Sequence, residues 1–120
     1  MTDMQLVILL LALFGIKHFI CDFVLQFGYM IGQKGIYCAP GGIHHAWLHG
    51  AFTFLVLCWF YPLALWMGAI DFIAHYHIDW AKQQMIKGLT TADRMFWVWF
   101  GADQALHYLT YIAIIGYIVT

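Results

Sequence analysis

The chain has 120 residues, of which 64% are hydrophobic and 9% charged, with a formal net charge of −1 at pH 7. Soluble domains carry about 25% charged residues, so this chain has too few polar side chains to cover a water-facing surface. The lack of a basic excess argues against nucleic-acid binding, and three cysteines without paired spacing argue against a disulfide framework. The composition predicts an all-α integral membrane protein.

The first predicted transmembrane helix covers about residues 4–27. Its apolar run is too long for the core of a signal peptide and has no basic leader, so we expect it to be retained. A glycine-rich segment that contains Pro40 follows and predicts a loop. The second helix is predicted over residues 44–60, close to the lower limit of about 17 residues for crossing a bilayer.

The third predicted helix covers residues 62–83, with Pro62 in its first turn, where a proline is tolerated. A polar connection ends this helix. The sequence Thr90-x-x-Asp93 then matches a capping box, which predicts the start of a fourth helix over residues 91–119. The expected architecture is a bundle of four transmembrane helices.

The four spans form a single domain over residues 1–120, and an even number of spans puts both termini on the same side of the membrane. Lys34, Lys82, Lys87 and Arg94 all lie in the two loops on the other side. The positive-inside rule places these loops in the cytoplasm and both termini outside.

Each predicted helix carries polar residues four positions apart, which places both members of a pair on one helix face. The pairs are His18 and Asp22, His45 and His49, His75 and Asp79, and Asp103 and His107. A rise of about 1.5 Å per residue puts one histidine from each helix in a common layer. The other four residues form a second layer one turn nearer the cytoplasm. All eight side chains are therefore expected to converge.

An aspartate at the centre of a membrane helix costs about 2.5–3.5 kcal/mol, so three of them require a compensating interaction. Structural zinc sites supply about 10–16 kcal/mol. Five imidazoles and three carboxylates exceed the needs of one tetrahedral ion. The sequence therefore predicts two divalent ions with a bridging carboxylate. Nitrogen and oxygen ligands favour zinc, with manganese or iron as alternatives. The predicted ligands are His18, Asp22, His45, His49, His75, Asp79, Asp103 and His107.

Three further polar residues have subsidiary predicted roles. Asp71 lies one turn further out on the third helix and is a candidate to orient His75. Lys17 lies within the first span, where it would reach the interface, pair with an aspartate or bind an anion. Lys82 follows Asp79 by three residues at the mouth of the site and is the better candidate for binding an anion.

The ordered set of motifs resembles small phage and bacterial membrane proteins grouped as domain of unknown function 3307. The motifs are His18-x3-Asp22-Phe23-x2-Gln26, His45-x3-His49, His75-x3-Asp79-x2-Lys82 and Asp103-Gln104-x2-His107. The resemblance covers nearly the whole chain and implies a bacterial inner membrane or a phage-infected host membrane, but no established activity. More loosely, the motifs are similar to those of membrane-bound metal-dependent hydrolases and of the all-helical zinc phospholipase C and P1 nuclease group.

The leading interpretation is a metal-dependent hydrolase acting near the cytoplasmic leaflet on a phosphoester or lipid-like substrate. Asp79 and Asp103 are the candidate catalytic carboxylates, since an aspartate that is not consumed as a ligand is available as a general base. Lys82 would hold the phosphate. The expected partners are membrane lipid and a small-molecule or lipid substrate. A homodimer is an open alternative to a single chain, because it would bury more of the site.

Three other readings of the polar stripes stay open. A proton or metal-ion transporter would also line its interior with histidine and aspartate, although the outer part of the bundle is predicted to be apolar apart from Asp71. A non-catalytic phage membrane factor that binds a host protein would use the polar layers to hold its helices together. An oxidative di-iron enzyme would use the same types of ligand.

Overall fold

The computed structural model describes residues 1–120 and contains helices but no strands, which confirms the all-α prediction. The helices are α1 (Asp3–Phe19), which continues into a π-helical turn (Ile20–Val24), the short α2 (Gly28–Gln33), α3 (Pro40–Leu57), α4 (Ala64–Met85) and α5 (Arg94–Val119). The glycine-rich segment predicted as a loop therefore contains a short helix, α2.

Two of the predicted helix starts differ from the structure because of proline. Helix α3 begins at Pro40, in the segment predicted as a loop. A proline is tolerated in the first turn of a helix, because the backbone N–H groups of that turn have no partner within the helix and the missing N–H costs nothing there. Pro62, by contrast, lies in the turn before α4, which begins at Ala64. The prediction that Pro62 occupies the first turn of the third helix is therefore wrong.

The capping box predicted at the start of the last helix is wrong as well. The side chain of Asp93 accepts hydrogen bonds from the backbone N–H of Thr90 at 2.7 Å and from its hydroxyl at 3.3 Å. These bonds close a turn that precedes α5, and the helix itself begins at Arg94. The residues of the motif do interact, but one turn earlier in the chain than the capping box requires.

The four long helices surround a common interior. Helix α1 packs against α3 and α5, and α4 packs against the same two helices. Helices α1 and α4 therefore face each other across the interior, as do α3 and α5. This arrangement lets every long helix direct one face to a shared centre.

One end of the bundle is filled by an apolar core. Its buried residues are Leu10, Phe14, Leu57, Ala64, Met67, Tyr111, Ile114 and Ile115. Leu6 and Val7 near the N-terminus, and Ile118 and Val119 near the C-terminus, pack against this core. Both termini and the α3–α4 turn therefore lie at the same end of the molecule, which we call the apolar end.

The rest of the interior is polar, and the surface is apolar. Twelve of the 28 buried residues are polar or charged, whereas 33 large hydrophobic side chains are exposed. The helical segment Asp3–Val24 is long and apolar enough to cross a membrane, with a mean hydropathy of 2.2. It is the one helix of the structure that meets this test of length and composition, so the predicted bundle is confirmed as helical but not as four transmembrane spans. The other long helices carry the buried histidines and aspartates, which lower their mean hydropathy.

Helices α3 and α4 approach each other backbone to backbone at a pair of glycines. A Cβ atom placed on Gly50 would lie 2.7 Å from the carbonyl oxygen of Gly68, and the reverse distance is also 2.7 Å. Small residues allow this close approach in helix pairs. The contact brings the histidines of α3 within reach of those of α4, since His49 directly precedes Gly50 in the sequence.

We predict that Gly50→Ala lowers the free energy of unfolding by about 1–3 kcal/mol, because the added methyl group would collide with backbone and with the Phe72 Cβ 2.9 Å away. Gly116→Ala in α5 is the matched control, since no atom lies within 4 Å of its added Cβ. That substitution should leave stability unchanged or raise it by about 0.5–1 kcal/mol. Thermal unfolding in detergent measures both, and equal stability of the two variants would contradict the tight packing.

Candidate metal centre

Asp22, in the π-helical turn after α1, holds together the first group of ligand-type side chains. Its Oδ1 lies 2.7 Å from Nε2 of His49 and 3.2 Å from Nε2 of His45, both on α3. Its Oδ2 lies 3.0 Å from Nε2 of His18. The ligand atoms of Asp22, His45, His49 and His75 all lie within 4.8 Å of one another.

Asp79 of α4 occupies the corresponding position in a second group. Its Oδ1 lies 3.1 Å from Nε2 of His107 on α5. Its Oδ2 lies 3.3 Å from Nε2 of His75 and 3.4 Å from Nε2 of His45. The ligand atoms of His75, Asp79 and His107 lie within 4.8 Å of one another. Because His75 belongs to both groups, the two groups are contiguous.

The structure brings the four histidines of the predicted layer together. The rings of His49 and His75 are stacked with centroids 3.5 Å apart, and those of His75 and His107 with centroids 3.9 Å apart. His18 completes the layer, with its ring centroid 5.6 Å from those of His49 and His107. Each long helix therefore contributes one imidazole to this layer.

His18 lies beside the two groups, and its hydrogen bonds define a supporting position. Its Nε2 lies 2.8 Å from the side-chain oxygen of Gln104 and 3.0 Å from Oδ2 of Asp22. Two acceptors at one nitrogen require that this nitrogen carry the proton. The Nδ1 atom then accepts a hydrogen bond from the hydroxyl of Tyr111 at 2.7 Å. In this arrangement His18 orients Asp22.

Asp103, the last predicted ligand, also lies beside the groups. Its Oδ1 is 3.4 Å from Nε2 of His107, and its Oδ2 accepts a hydrogen bond from Gln104 at 3.0 Å. The Oδ1 atom is buried and accepts no hydrogen bond. The structure thus gathers all eight predicted residues, with six in the two groups and His18 and Asp103 in contact with them.

Two lysines reach the carboxylates from the end of the bundle opposite the apolar end. The Nζ atom of Lys34 lies 3.0 Å from Oδ2 of Asp79, and that of Lys82 lies 3.6 Å from Oδ2 of Asp103. The predicted proximity of Lys82 to the site is therefore observed, whereas Lys34 was predicted only as a loop residue.

The backbone after α2 explains why Lys34 reaches the centre. A Cβ atom on Gly42 of α3 would lie 3.3 Å from Cα of Lys34, and one on Gly41 would lie 2.6 Å from a backbone oxygen of Tyr29. These glycines let α2 and the following residues pack directly on α3, and this contact buries Lys34. The sequence signal was a single cation within a glycine-rich segment, which does not predict that the cation faces inward.

Asp71 was expected to contact His75, but its partner in the structure is a lysine. It forms a buried ion pair with Lys17, with Nζ and Oδ2 separated by 2.6 Å. Thr53 donates a hydrogen bond to the same oxygen at 2.5 Å, and Lys17 Nζ lies 3.3 Å from the hydroxyl of Tyr111. Of the roles expected for Lys17, the structure shows pairing with an aspartate. The pair separates the histidine layer from the apolar core.

The donor set fits divalent metal ions in chemistry and spacing. Two ligands about 2.1 Å from one ion at the tetrahedral angle lie roughly 3.4 Å apart. The nitrogen–oxygen distances around Asp79, from 3.1 to 3.4 Å, are of this size, as is the 3.3 Å between Nε2 of His45 and Nε2 of His75. The Oδ2 atom of Asp79 faces the cluster and also pairs with Nζ of Lys34, which lies 3.0 Å away.

One feature of the histidines departs from usual metal centres. Metal-bound histidines generally donate their second ring N–H to a carboxylate or a carbonyl. The Nδ1 atoms of His45, His49 and His75 are buried and have no hydrogen-bond partner in the protein. The orientation of these rings therefore depends on stacking and on helix packing, including the Gly50–Gly68 contact.

The chain belongs to the family described as protein of unknown function, DUF3307, whose model matches residues 7–120. This match confirms the resemblance found in the motifs. No curated protein and no solved structure matches the chain. The looser similarity to metal-dependent hydrolases is therefore not supported by these comparisons.

Proposed function

We propose that this member of DUF3307 is a membrane-embedded, metal-dependent hydrolase with a dinuclear His/Asp centre. The observation that carries the proposal is the convergence of six buried ligand-type side chains from all four long helices. Their ligand atoms form two groups that share His75, with no distance within a group above 4.8 Å. Because His75 belongs to both groups, the arrangement favours two neighbouring metal ions.

The distribution of polarity supports a position across a membrane with four spans, α1, α3, α4 and α5. Many large hydrophobic side chains are exposed and the charged residues in the middle of the helices are buried, as lipid requires, whereas the exposed charged residues lie near the helix ends. The longest dimension is 48 Å, close to the roughly 40–45 Å of a bilayer with its headgroups. The positive-inside rule places the end with Lys34 and Lys82 in the cytoplasm and both termini outside. A bacterial inner membrane or a phage-infected host membrane fits this orientation.

The two groups suggest how the ions are shared. Asp22, His45 and His49 would hold one ion, Asp79 and His107 the other, and His75 lies within reach of both. Nitrogen and oxygen donors favour zinc, with manganese or iron as alternatives. Such ions would activate water and polarise a phosphoester. One chain encloses the whole centre, so the proposal requires no second copy.

The remaining residues have roles that follow from their contacts. The free Oδ1 of Asp103 is the best-placed general base, because it is buried and accepts no hydrogen bond. Asp79 is assigned to metal binding. Lys82, whose ammonium group faces Asp103 from the cytoplasmic end, would hold the phosphate of a small phosphorylated substrate or of a lipid.

The apolar end argues against the transport alternative. A transported ion needs polar groups along the whole path, yet beyond the Lys17–Asp71 pair the interior is filled by Leu10, Phe14, Leu57 and their neighbours. A flux assay in liposomes separates transport from hydrolysis. A non-catalytic factor that uses the polar layers only for assembly would bind no metal, and an oxidative di-iron enzyme would retain iron.

We predict that the detergent-purified protein contains about one to two equivalents of zinc, manganese or iron per chain, measured by elemental analysis. His75→Ala should abolish this content, since His75 belongs to both groups, and Asp79→Ala should remove at least the ion of the second group. His77→Ala is the matched control, because His77 is an exposed histidine on the same helix. Full metal content in Asp79→Ala would remove that residue from the site.

The assigned general base yields a separate prediction. Asp103→Asn should keep its metal content but lower hydrolysis of p-nitrophenyl phosphate by about 10²–10⁴-fold, the usual contribution of a general base. The substitution preserves the size of the side chain and its contact with Gln104. The rate is measured on protein of matched metal content. Undiminished hydrolysis would assign the proton transfer to another group.

The orientation is testable with the protein's own cysteines. Cys38 precedes α3 and Cys58 follows it, both are exposed, and Cys21 is buried. In spheroplasts, a membrane-impermeant maleimide should label a variant that retains Cys58 and leave one that retains Cys38 unlabelled until the membrane is opened. The inverse pattern would reverse the orientation, and labelling of both variants in intact spheroplasts would contradict a spanning α3.

A further inference from the structure

A cavity of about 270 Å³ lies at the cytoplasmic end of the bundle, directly beside the metal centre. Gln26, Lys34, Lys82 and Gln83 form its polar wall, and Ile86 and Phe100 belong to its apolar wall. Half of the lining residues are hydrophobic. A cavity of this character suits a ligand with one charged end and one apolar end.

The two lysines connect this cavity to the centre. Each lines the cavity and at the same time contacts a carboxylate of the site, Lys34 contacting Asp79 and Lys82 contacting Asp103. A group bound between the lysines would therefore lie next to the carboxylates and any ions they hold. The Nζ atom of Lys82 also lies 5.7 Å from the ring centroid of Phe100, where the polar wall meets the apolar wall.

The charges of the centre specify the sign of the ligand. Asp22, Asp79 and Asp103 carry three negative charges, and Lys34 and Lys82 return two positive ones. Two divalent ions would turn the single remaining negative charge into three positive ones. A buried excess of three positive charges is best offset by a ligand of high negative charge, because the charge of bound metal ions adds to that of the surrounding side chains.

Gln26 offers a further polar contact within the cavity. Its Nε2 donates a hydrogen bond to the backbone oxygen of Asp22 at 2.8 Å, which fixes the amide. Its Oε1 is buried and has no hydrogen-bond partner. Buried acceptors are normally satisfied, so this oxygen has the position and the capacity to accept a hydrogen bond from a hydroxyl group of a bound ligand.

We propose that this cavity binds the phosphate group of a phosphomonoester that carries an apolar chain, with the phosphate between Lys34 and Lys82 and the first carbons of the chain against Ile86 and Phe100. A phosphomonoester is a dianion at neutral pH, which offsets two of the three positive charges of the loaded centre. The proposal rests on the proposed function. Hydrolysis would break the bond between phosphorus and the alcohol oxygen, with water giving its hydroxyl to phosphorus and its proton to the released alcohol.

Binding of hexylphosphonate, whose P–C bond is not hydrolysed, tests the cavity apart from turnover when it is measured by titration calorimetry on metal-loaded protein. Lys82→Met should weaken this binding roughly tenfold or more through loss of a charge-assisted contact, while the metal content stays unchanged. Lys87→Met is the matched control, since Lys87 is exposed in the same connection and does not line the cavity. Equal affinity in both variants would overturn the proposal.

Inorganic phosphate distinguishes an amphiphilic ligand from a free anion. Hexylphosphonate should bind roughly tenfold more tightly than inorganic phosphate, and Phe100→Ala should remove that difference without weakening the binding of inorganic phosphate. Equal affinities in the unmodified protein would overturn the assignment of an apolar chain. Protein that takes up no metal would overturn the proposed hydrolase. The cavity is then judged separately on the metal-free protein, where binding of hexylphosphonate that depends on Lys82 would support it and no such binding would overturn it.

Discussion

The burial of carboxylates away from water is the constraint on which the rest of this structure depends. Each oxygen of a buried aspartate needs a donor or a cation, and here the donors come from other helices. Asp22 ties the end of α1 to α3 through His45 and His49. Asp79 ties α4 to α5 through His107, and to the segment after α2 through Lys34. These two side chains thus hold every helix in place around the centre.

The bundle divides along its axis into parts with different tasks. The apolar core gives stability at the end where both termini lie. The Lys17–Asp71 ion pair, completed by Thr53 and Tyr111, forms a neutral boundary between that core and the histidine layer. Tyr111 also forms a hydrogen bond with Nδ1 of His18, so this boundary orients the His18 ring within the histidine layer. On the opposite side of the histidine layer, Lys34 and Lys82 connect the carboxylates of the centre to the lysine-lined cavity.

The sequence predicted the helical class and the layer of four histidines because both follow from local periodicity. Residues four positions apart share a helix face, and antiparallel neighbours reverse the order of the pair on α5. The inward position of Lys34 and the choice of Asp71 as the aspartate that pairs with Lys17 were outside its reach, since each depends on contacts between residues distant in the chain. The π-helical turn was missed for a related reason. It adds one residue to a single turn, and hydrophobic periodicity does not resolve so small a change.

The stacking of the imidazole rings limits how far hydrogen bonds from the histidines alone can neutralise the buried carboxylates. The rings of His49, His75 and His107 lie in a stack with centroids 3.5 and 3.9 Å apart. Three imidazolium ions in that arrangement would repel one another strongly, so the stack does not hold three protonated rings. A neutral ring carries one N–H and one lone pair. The Nε2 atoms of His45 and His75 lie 3.3 Å from each other, and 3.4 and 3.3 Å from Oδ2 of Asp79. Two N–H groups at these positions would face each other, and a lone pair on either nitrogen would face the carboxylate, so a cation between these atoms removes the conflict. The close packing of α3 on α4 at Gly50 and Gly68, which brings the rings into this stack, therefore favours metal binding over a hydrogen-bonded core.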